Sequence, residues 1–180
     1  SDQGKMSETK TNFIIAVRGY KVINKQRSGI ATDIVAVDNS NNKVLLRTIE
    51  PLTPEYIGVN VIKSMAEEVE RESYDSAIVI SKHFTDNALS EINKQKIEYI
   101  SEDYMPPFDI QELYLAIMNC ANNSCQRKCG KVLPIIPECS EKTADGCRTK
   151  ALALDAKEHF ENGTLGLLKN DLRVALALAH

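Results

Sequence analysis

The chain of 180 residues is 43% hydrophobic and carries a formal net charge of -3 at pH 7. This length suits one domain of ordinary size with an appendage, and it is enough to bury a hydrophobic core. No apolar run approaches the roughly 20 residues that cross a bilayer, and the polar start of the chain lacks a secretory signal, so the expected location is the cytoplasm. Residues 1–6 have the character of an expression remnant.

The charge is distributed unevenly along the chain. Residues 1–124 hold 13 Lys/Arg and 18 Asp/Glu, whereas residues 125–180 hold 9 and 7. Non-specific nucleic-acid binders are strongly basic, because phosphate neutralisation supplies most of their affinity. The composition therefore excludes a binder of that kind. Any nucleic-acid contact must come from local cations, for which Lys25, Arg27 and Arg47 are the candidates.

The first predicted elements are a helix and the beginning of a strand. Residues 8–18 form a helix whose apolar side chains share one face, and Gly19 stands where a helix end often requires a positive φ. A strand is predicted to begin at residues 20–23. The polar stretch 24–29 is interpreted as a mobile connection to the next element.

A β-hairpin is the central predicted feature. Residues 30–37 and 43–49 are rich in β-branched residues, and the polar residues 38–42 between them can turn without a steric penalty. Asp33 lies within the first of these apolar strands. A carboxylate is costly to bury there unless a metal ion, a charged partner or water reaches it, which makes Asp33 the first candidate functional residue.

Alternating helices and strands follow the hairpin. A helix over residues 56–71 precedes short apolar strands over 77–80 and 97–100, with a helix over 84–94 between them. This alternation predicts parallel strands joined by right-handed crossovers. An acidic run at the end of the helix over residues 56–71 is interpreted as a solvated face. It consists of Glu67, Glu68, Glu70 and Glu72.

The end of the chain has a different character. Asp109 is a good N-cap for a helix over 110–122, which closes an α/β domain predicted over residues 7–122. Residues 123–180 are predicted to contain an irregular cysteine-rich loop and a helical hairpin.

Four cysteines of this loop are candidate metal ligands: Cys125, Cys129, Cys139 and Cys147. Four thiolates could hold a structural zinc ion in tetrahedral geometry. Two disulfides or free buried thiols are the alternatives, and the spacing leaves all three open.

The predicted order of elements, a helix, three strands and then alternating helix and strand, is that of the restriction-endonuclease-like core. Within it, the chain resembles the Mrr-type branch of the PD-(D/E)XK superfamily over roughly residues 7–102. The resemblance implies a mixed β-sheet flanked by helices. It is carried by four segments, which are residues 19–22, 29–36, 77–81 and 83–89. The most distinctive part is the Phe-Thr-x-x-Ala-Leu motif at residues 84–89.

In that family an acid at the position of Asp33 works with an acid or glutamine, any residue and a lysine on the next strand. Together they hold Mg²⁺ or Mn²⁺ and orient the attacking water, whose pKa the cation lowers. The matching positions here are Arg47 and Ile49. Arginine cannot ligate a cation and isoleucine cannot activate water. A one-residue register slip would instead turn Glu50 toward Asp33, again without a lysine.

Three functions are therefore open. The preferred prediction is a non-catalytic domain of this family that acts as a nucleic-acid-associated or assembly module, with Asp33 and Arg47 paired across the hairpin. The second is an active endonuclease that cleaves DNA with Mg²⁺ or Mn²⁺, Asp33 and Glu50. The third is a protein-interaction subunit without a nucleic-acid role. A homodimer or larger assembly remains open, and the only cofactors indicated are the nuclease metal and the zinc of the cysteine loop.

Overall fold

The computed structural model describes residues 2–121, 142–143, 146–171 and 173. None of the helices in these ranges has the length and apolar character needed to cross a membrane. The observed elements are α1 (Asp2–Val17), β1 (Lys21–Ser28), β2 (Ala31–Val37), β3 (Lys43–Ile49), α2 (Val59–Arg71), β4 (Ser76–Ile80), α3 (Asp86–Gln95), β5 (Glu98–Ile100), α4 (Ile110–Ala121), β6 (Lys142–Thr143), β7 (Gly146–Cys147), α5 (Arg148–Glu161) and a 3-10 turn (Leu165–Leu168).

The first five strands form one mixed sheet in the order β1-β2-β3-β4-β5. β1, β2 and β3 run antiparallel to their neighbours, whereas β3, β4 and β5 are parallel. α2 and α3 connect the parallel strands, because parallel neighbours cannot be joined by a tight turn. The predicted hairpin and both predicted strand–helix–strand units are present, and the fold class is confirmed as a mixed α/β sheet flanked by helices.

α2 and α3 cover one face of the sheet. Their apolar side chains, at helical spacing, pack against the strands in one cluster. The buried members are Leu45, Ile49, Ile57, Ile62, Met65, Ala77, Val79, Phe84, Ala88, Ile92 and Ile97. Successive residues of a strand point to opposite faces, and β4 is buried on both of them, with Ile78 and Ile80 facing away from this cluster. This two-sided burial explains the continuous apolar run in its sequence.

α3 begins with a side-chain cap. The N–H of Ala88 donates a hydrogen bond to Thr85 Oγ1 over 3.1 Å. We expect Thr85→Ala to lower the free energy of unfolding by about 1 kcal/mol, because it leaves a helix N-terminal donor without its acceptor. Urea unfolding measures the change. Thr85→Ser retains the acceptor and should stay within about 0.5 kcal/mol of the parent, so equal losses in the two variants would contradict the capping role.

The stretch 24–29 predicted to be a mobile connection is in fact mostly strand, and that prediction was wrong. β1 continues through Ser28, and a two-residue turn of Gly29 and Ile30 leads into β2, with Gly29 at φ 60°. All eight residues of β1 are exposed. The start of this strand at residues 20–23 was predicted, but its polar continuation has no buried face and therefore no apolar alternation that would reveal it. Pairing with β2 supplies the strand conformation that the local sequence does not indicate.

The described chain divides into two compact units. One contains Gly19–Pro107 with the residues up to Thr11, and the other contains Asn12–Arg18 with the chain from Phe108 onward. The five-stranded sheet belongs to the first unit. In the second unit, Asp109 caps α4 as predicted, since its Oδ1 accepts a hydrogen bond from the N–H of Gln111 at 3.0 Å. The predicted domain boundary after residue 122 stays a prediction.

A candidate site around Asp33

Asp33 lies directly opposite Arg47 in the antiparallel pair of β2 and β3. The N–H of Glu50 donates to the carbonyl of Ile30 over 2.9 Å at the end of this ladder. Because hydrogen-bonded and non-hydrogen-bonded pairs alternate, Asp33 and Arg47 form a non-hydrogen-bonded pair, whose side chains come closest. The slipped register that would turn Glu50 toward Asp33 is not the one observed.

Arg47 donates hydrogen bonds to both oxygens of the Asp33 carboxylate. Its Nε donates to Oδ1 over 2.7 Å and its Nη2 donates to Oδ2 over 2.8 Å. The same Nη2 also donates to Glu68 Oε2 over 2.5 Å. A two-pronged guanidinium–carboxylate contact is among the strong, geometrically specific hydrogen-bonded pairs of proteins. The predicted salt bridge across the hairpin is therefore present, with a second carboxylate added to it.

Glu68 is the residue of this site that the sequence interpretation missed. Its side chain is only 29% exposed, so the prediction of a solvated face is wrong for Glu68, although Glu67, Glu70 and Glu72 are exposed. Glu68 lies three residues after Met65, a core residue of α2, and such residues are neighbours on one side of a helix. That spacing is the signal that could have identified it.

The cluster contains one central cation between two carboxylates. The Arg47 side chain is 15% exposed, and its pKa is raised by the hydrogen bond to Asp33 and by the negative charges of Asp33 and Glu68, against the opposing effect of burial. Burial and the same two carboxylates also raise the pKa of the neighbouring Tyr74 phenol. Arg71 approaches Glu68 from solvent at 3.8 Å. Without Arg47, the exposed Arg71 would be the one cation described near these two carboxylates.

Ile49 occupies the position at which the motif would carry its lysine. It is 4% exposed and belongs to the apolar cluster beneath α2 and α3. A lysine ammonium at this point would lie among hydrocarbon side chains, where a charge is costly to bury. The position is thus part of the core of the fold.

The residues around Asp33 do not fit a divalent cation. Both carboxylate oxygens accept hydrogen bonds from a guanidinium, which is itself positively charged and cannot be deprotonated in a protein. Within the described ranges, no group of three or more His, Cys, Asp or Glu side chains is placed to hold a metal ion. The chemistry of this donor set is that of an internal ion pair.

The remaining predicted site residues lie elsewhere. Lys25 and Arg27 stand opposite Ile34 and Thr32 on the exposed strand β1. Successive residues of a strand alternate faces, so these two cations project from the sheet face opposite to that of Asp33. The structure brings Asp33, Arg47 and Glu68 together and separates them from the side chains of Lys25 and Arg27.

The cysteine loop stays outside this description. Cys125, Cys129 and Cys139 lie outside the described residues, and only the backbone of Cys147 is placed, in β7. Zinc binding therefore remains a prediction.

No protein-family model and no curated protein matches the chain. Three similar solved structures are EndoMS in its apo form (18% identity, TM-score 0.40), a repair endonuclease from Pyrococcus abyssi (21%, 0.38) and an EndoMS–dsDNA2 complex (18%, 0.37). These matches cover 56%, 56% and 58% of this chain and 47%, 48% and 46% of the matched chains, so the chain spans about half the length of each. With TM-scores below 0.5, the likeness assigns neither a family nor an activity.

Proposed function

We propose that the chain is a non-hydrolytic domain with the restriction-endonuclease-like fold and that it serves as a nucleic-acid-associated or assembly module. The observation that carries the proposal is the two-pronged salt bridge, here called the clamp, between Arg47 and Asp33. Arg47 stands at the position where the motif places a metal-binding acid or glutamine. The strand order, with an antiparallel hairpin followed by two parallel crossovers, supports the scaffold part of the proposal.

The hydrolytic part of the family chemistry has no support in these side chains. Metal-assisted phosphodiester cleavage needs oxygen ligands for the cation and a group that orients water. Arg47 bonds to both oxygens of Asp33 and also to Glu68, and Ile49 is buried among hydrocarbon side chains. The site is consistent with a structural clamp that ties β2 and β3 to α2.

Exposed cations of β1 support the nucleic-acid part. Lys25 and Arg27 lie two residues apart on one face of the strand and take part in no salt bridge within the described chain. If these two cations each contact one phosphate, the association constant for DNA should fall about tenfold between roughly 50 and 200 mM salt. The acidic balance of the first 124 residues limits binding to weak, salt-sensitive association.

We expect the protein to bind duplex DNA in this salt-sensitive way and to leave a plasmid intact in Mg²⁺ or Mn²⁺. The Lys25→Gln, Arg27→Gln double variant should lose the binding, because the phosphates lose their partners. The matched control is Lys63→Gln, which removes an exposed cation from α2. Fluorescence anisotropy at two salt concentrations and a gel assay of plasmid cleavage provide the measurements.

Cleavage that disappears in Asp33→Asn would refute the proposal and establish the metal-dependent endonuclease. Mn²⁺ binding by calorimetry that disappears in the same variant would count equally against it. Asp33→Asn preserves the shape of the side chain, and circular dichroism checks that it folds. If neither cleavage nor DNA binding occurs, the nucleic-acid part fails and a protein-interaction subunit takes its place.

A further inference from the structure

β1 has an open outer edge. It is the first of the five strands in the sheet order, and it pairs only with β2 among the residues that the structure describes. All eight of its residues are exposed, so neither face of the strand is covered. An edge strand presents a row of backbone N–H and C=O groups that can pair with another chain.

The hydrogen-bond pattern identifies the groups that point outward. The carbonyl of Ile30 accepts a hydrogen bond over 2.9 Å from the N–H of Glu50, the residue directly after β3. Along β2, the backbone N–H and C=O groups of successive residues point alternately toward β3 and toward β1. Those of Asp33 therefore point toward β1, where its partner is Gln26. The neighbours of Gln26 therefore direct their N–H and C=O groups away from β2. Lys25 and Arg27 are those neighbours, and they contribute two donors and two acceptors to the open edge.

The same two residues define the charge that fits this edge. β1 contains Lys21, Lys25 and Arg27 and no acidic residue. The side chains of Lys25 and Arg27 lie on one face, two residues apart. An incoming strand with carboxylates at alternate positions would place them directly across from these cations, and opposite charges at such positions stabilise a strand pair.

We propose that the outer edge of β1 receives an extended acidic segment of a partner protein by β-strand addition. The main chain of the segment bonds to Lys25 and Arg27, while its alternate carboxylates face their side chains. Val22 and Ile23, which are 45% and 61% exposed, provide apolar contact at the other end of the strand. This inference does not rest on the proposed function. A nucleic acid that uses the same two cations would compete with the segment.

A second copy of the chain fits this edge less well. In antiparallel registers centred on residues 25–27, two copies of β1 would place cation opposite cation, which destabilises a strand pair. The irregularity in pairing between Val22 and Asn24 limits the regular edge to the part of β1 after it for any incoming strand. Basic residues and bulges are devices that protect edge strands from self-association.

The test uses a peptide of alternating Thr and Glu, about ten residues long, with blocked ends. A second peptide carries the same charges but has N-methyl groups on alternate residues, which remove the donors along one edge. We expect the first peptide to bind the full chain and the second to bind about tenfold more weakly, since main-chain hydrogen bonds supply much of the affinity. Equal binding of the two peptides would overturn the proposal.

Substitutions in β1 provide a second, independent readout. Lys25→Pro removes an outward N–H without removing a donor to β2, whereas Lys25→Gln removes only the charge. We expect Lys25→Pro to bind the peptide about tenfold more weakly than Lys25→Gln. Gln26→Pro should lower thermal stability, because it deletes a donor of the β1–β2 ladder. Circular dichroism verifies the fold of each variant.

Two outcomes would contradict the binding of a partner strand to the edge of β1. Equal peptide binding by Lys25→Pro and Lys25→Gln would show that charge alone is recognised and would overturn strand addition. A dimer that sedimentation detects and that Lys25→Pro dissociates would assign the edge to a second copy. DNA binding and plasmid cleavage are measured separately, so failure of this inference is distinguishable from failure of the proposed function.

Discussion

Replacement of Arg47 by methionine is expected to lower the free energy of unfolding by about 2 kcal/mol. The variant keeps most of the aliphatic volume but removes the cation between Asp33 and Glu68, which leaves two half-buried carboxylates facing one another. Fully buried pairs lose about 3–5 kcal/mol when one partner is removed. The two carboxylates here are 31% and 29% exposed, so solvent screening reduces the effect.

Urea unfolding of a double-mutant cycle checks this prediction. Arg47→Met, Asp33→Asn and the double variant should show a coupling energy of at least about 1 kcal/mol, because the two side chains share a bidentate contact. Arg47→Lys should fall between the parent and Arg47→Met, since lysine keeps the charge and loses the planar fork. Arg71→Met is the matched control, because Arg71 lies 3.8 Å from Glu68 and is 63% exposed. If Arg47→Met and Arg71→Met have equally small effects, the cluster does not hold the fold together.

Replacement of Ile49 by lysine is expected to cost about 4 kcal/mol or more, enough to unfold a marginally stable domain. The substitution restores the lysine of the endonuclease motif in sequence only. Its ammonium group would enter the apolar cluster that includes Ile57 and Phe84. The pKa of such a lysine would fall, because burial disfavours the charged form.

Thermal unfolding monitored by circular dichroism measures this effect, with Ile49→Val as the control. The valine variant removes one methylene group and should cost about 1 kcal/mol. A lysine variant that remains folded with the stability of the valine variant would show that the position opens to solvent. Motif repair would then become a realistic route to activity, and the non-hydrolytic proposal would lose its second supporting observation.

The local sequence predicted those elements whose stability comes from one or two buried faces. The hairpin of β2 and β3 and the strand β4 have dense β-branched or apolar runs, and these patterns follow directly from burial. Two registers of the hairpin were considered, and the structure has the preferred one, with Asp33 opposite Arg47, and not the one-residue slip. Asp33 and Arg47 consequently face each other as expected.

The continuation of β1 beyond residue 23 and the burial of Glu68 were not predicted, for different physical reasons. Residues 24–28 have no buried face, so no hydrophobic period marks them, and their pairing with β2 makes them part of the strand. Glu68 belongs to an acidic run, and charge runs are usually solvated. Its position three residues after Met65 places it on the flank of α2, where it reaches Arg47.

The sequence by itself determined the mixed α/β order of elements and the absence of the motif acid and lysine from β3, and it favoured the opposition of Asp33 and Arg47. These depend on residue identity and on the fixed two-residue period of a strand. The tertiary structure decided that Glu68 completes the clamp, that Ile49 is buried in the core and that the edge of β1 is open. Each of these depends on the packing of distant segments, and local propensity does not record such packing.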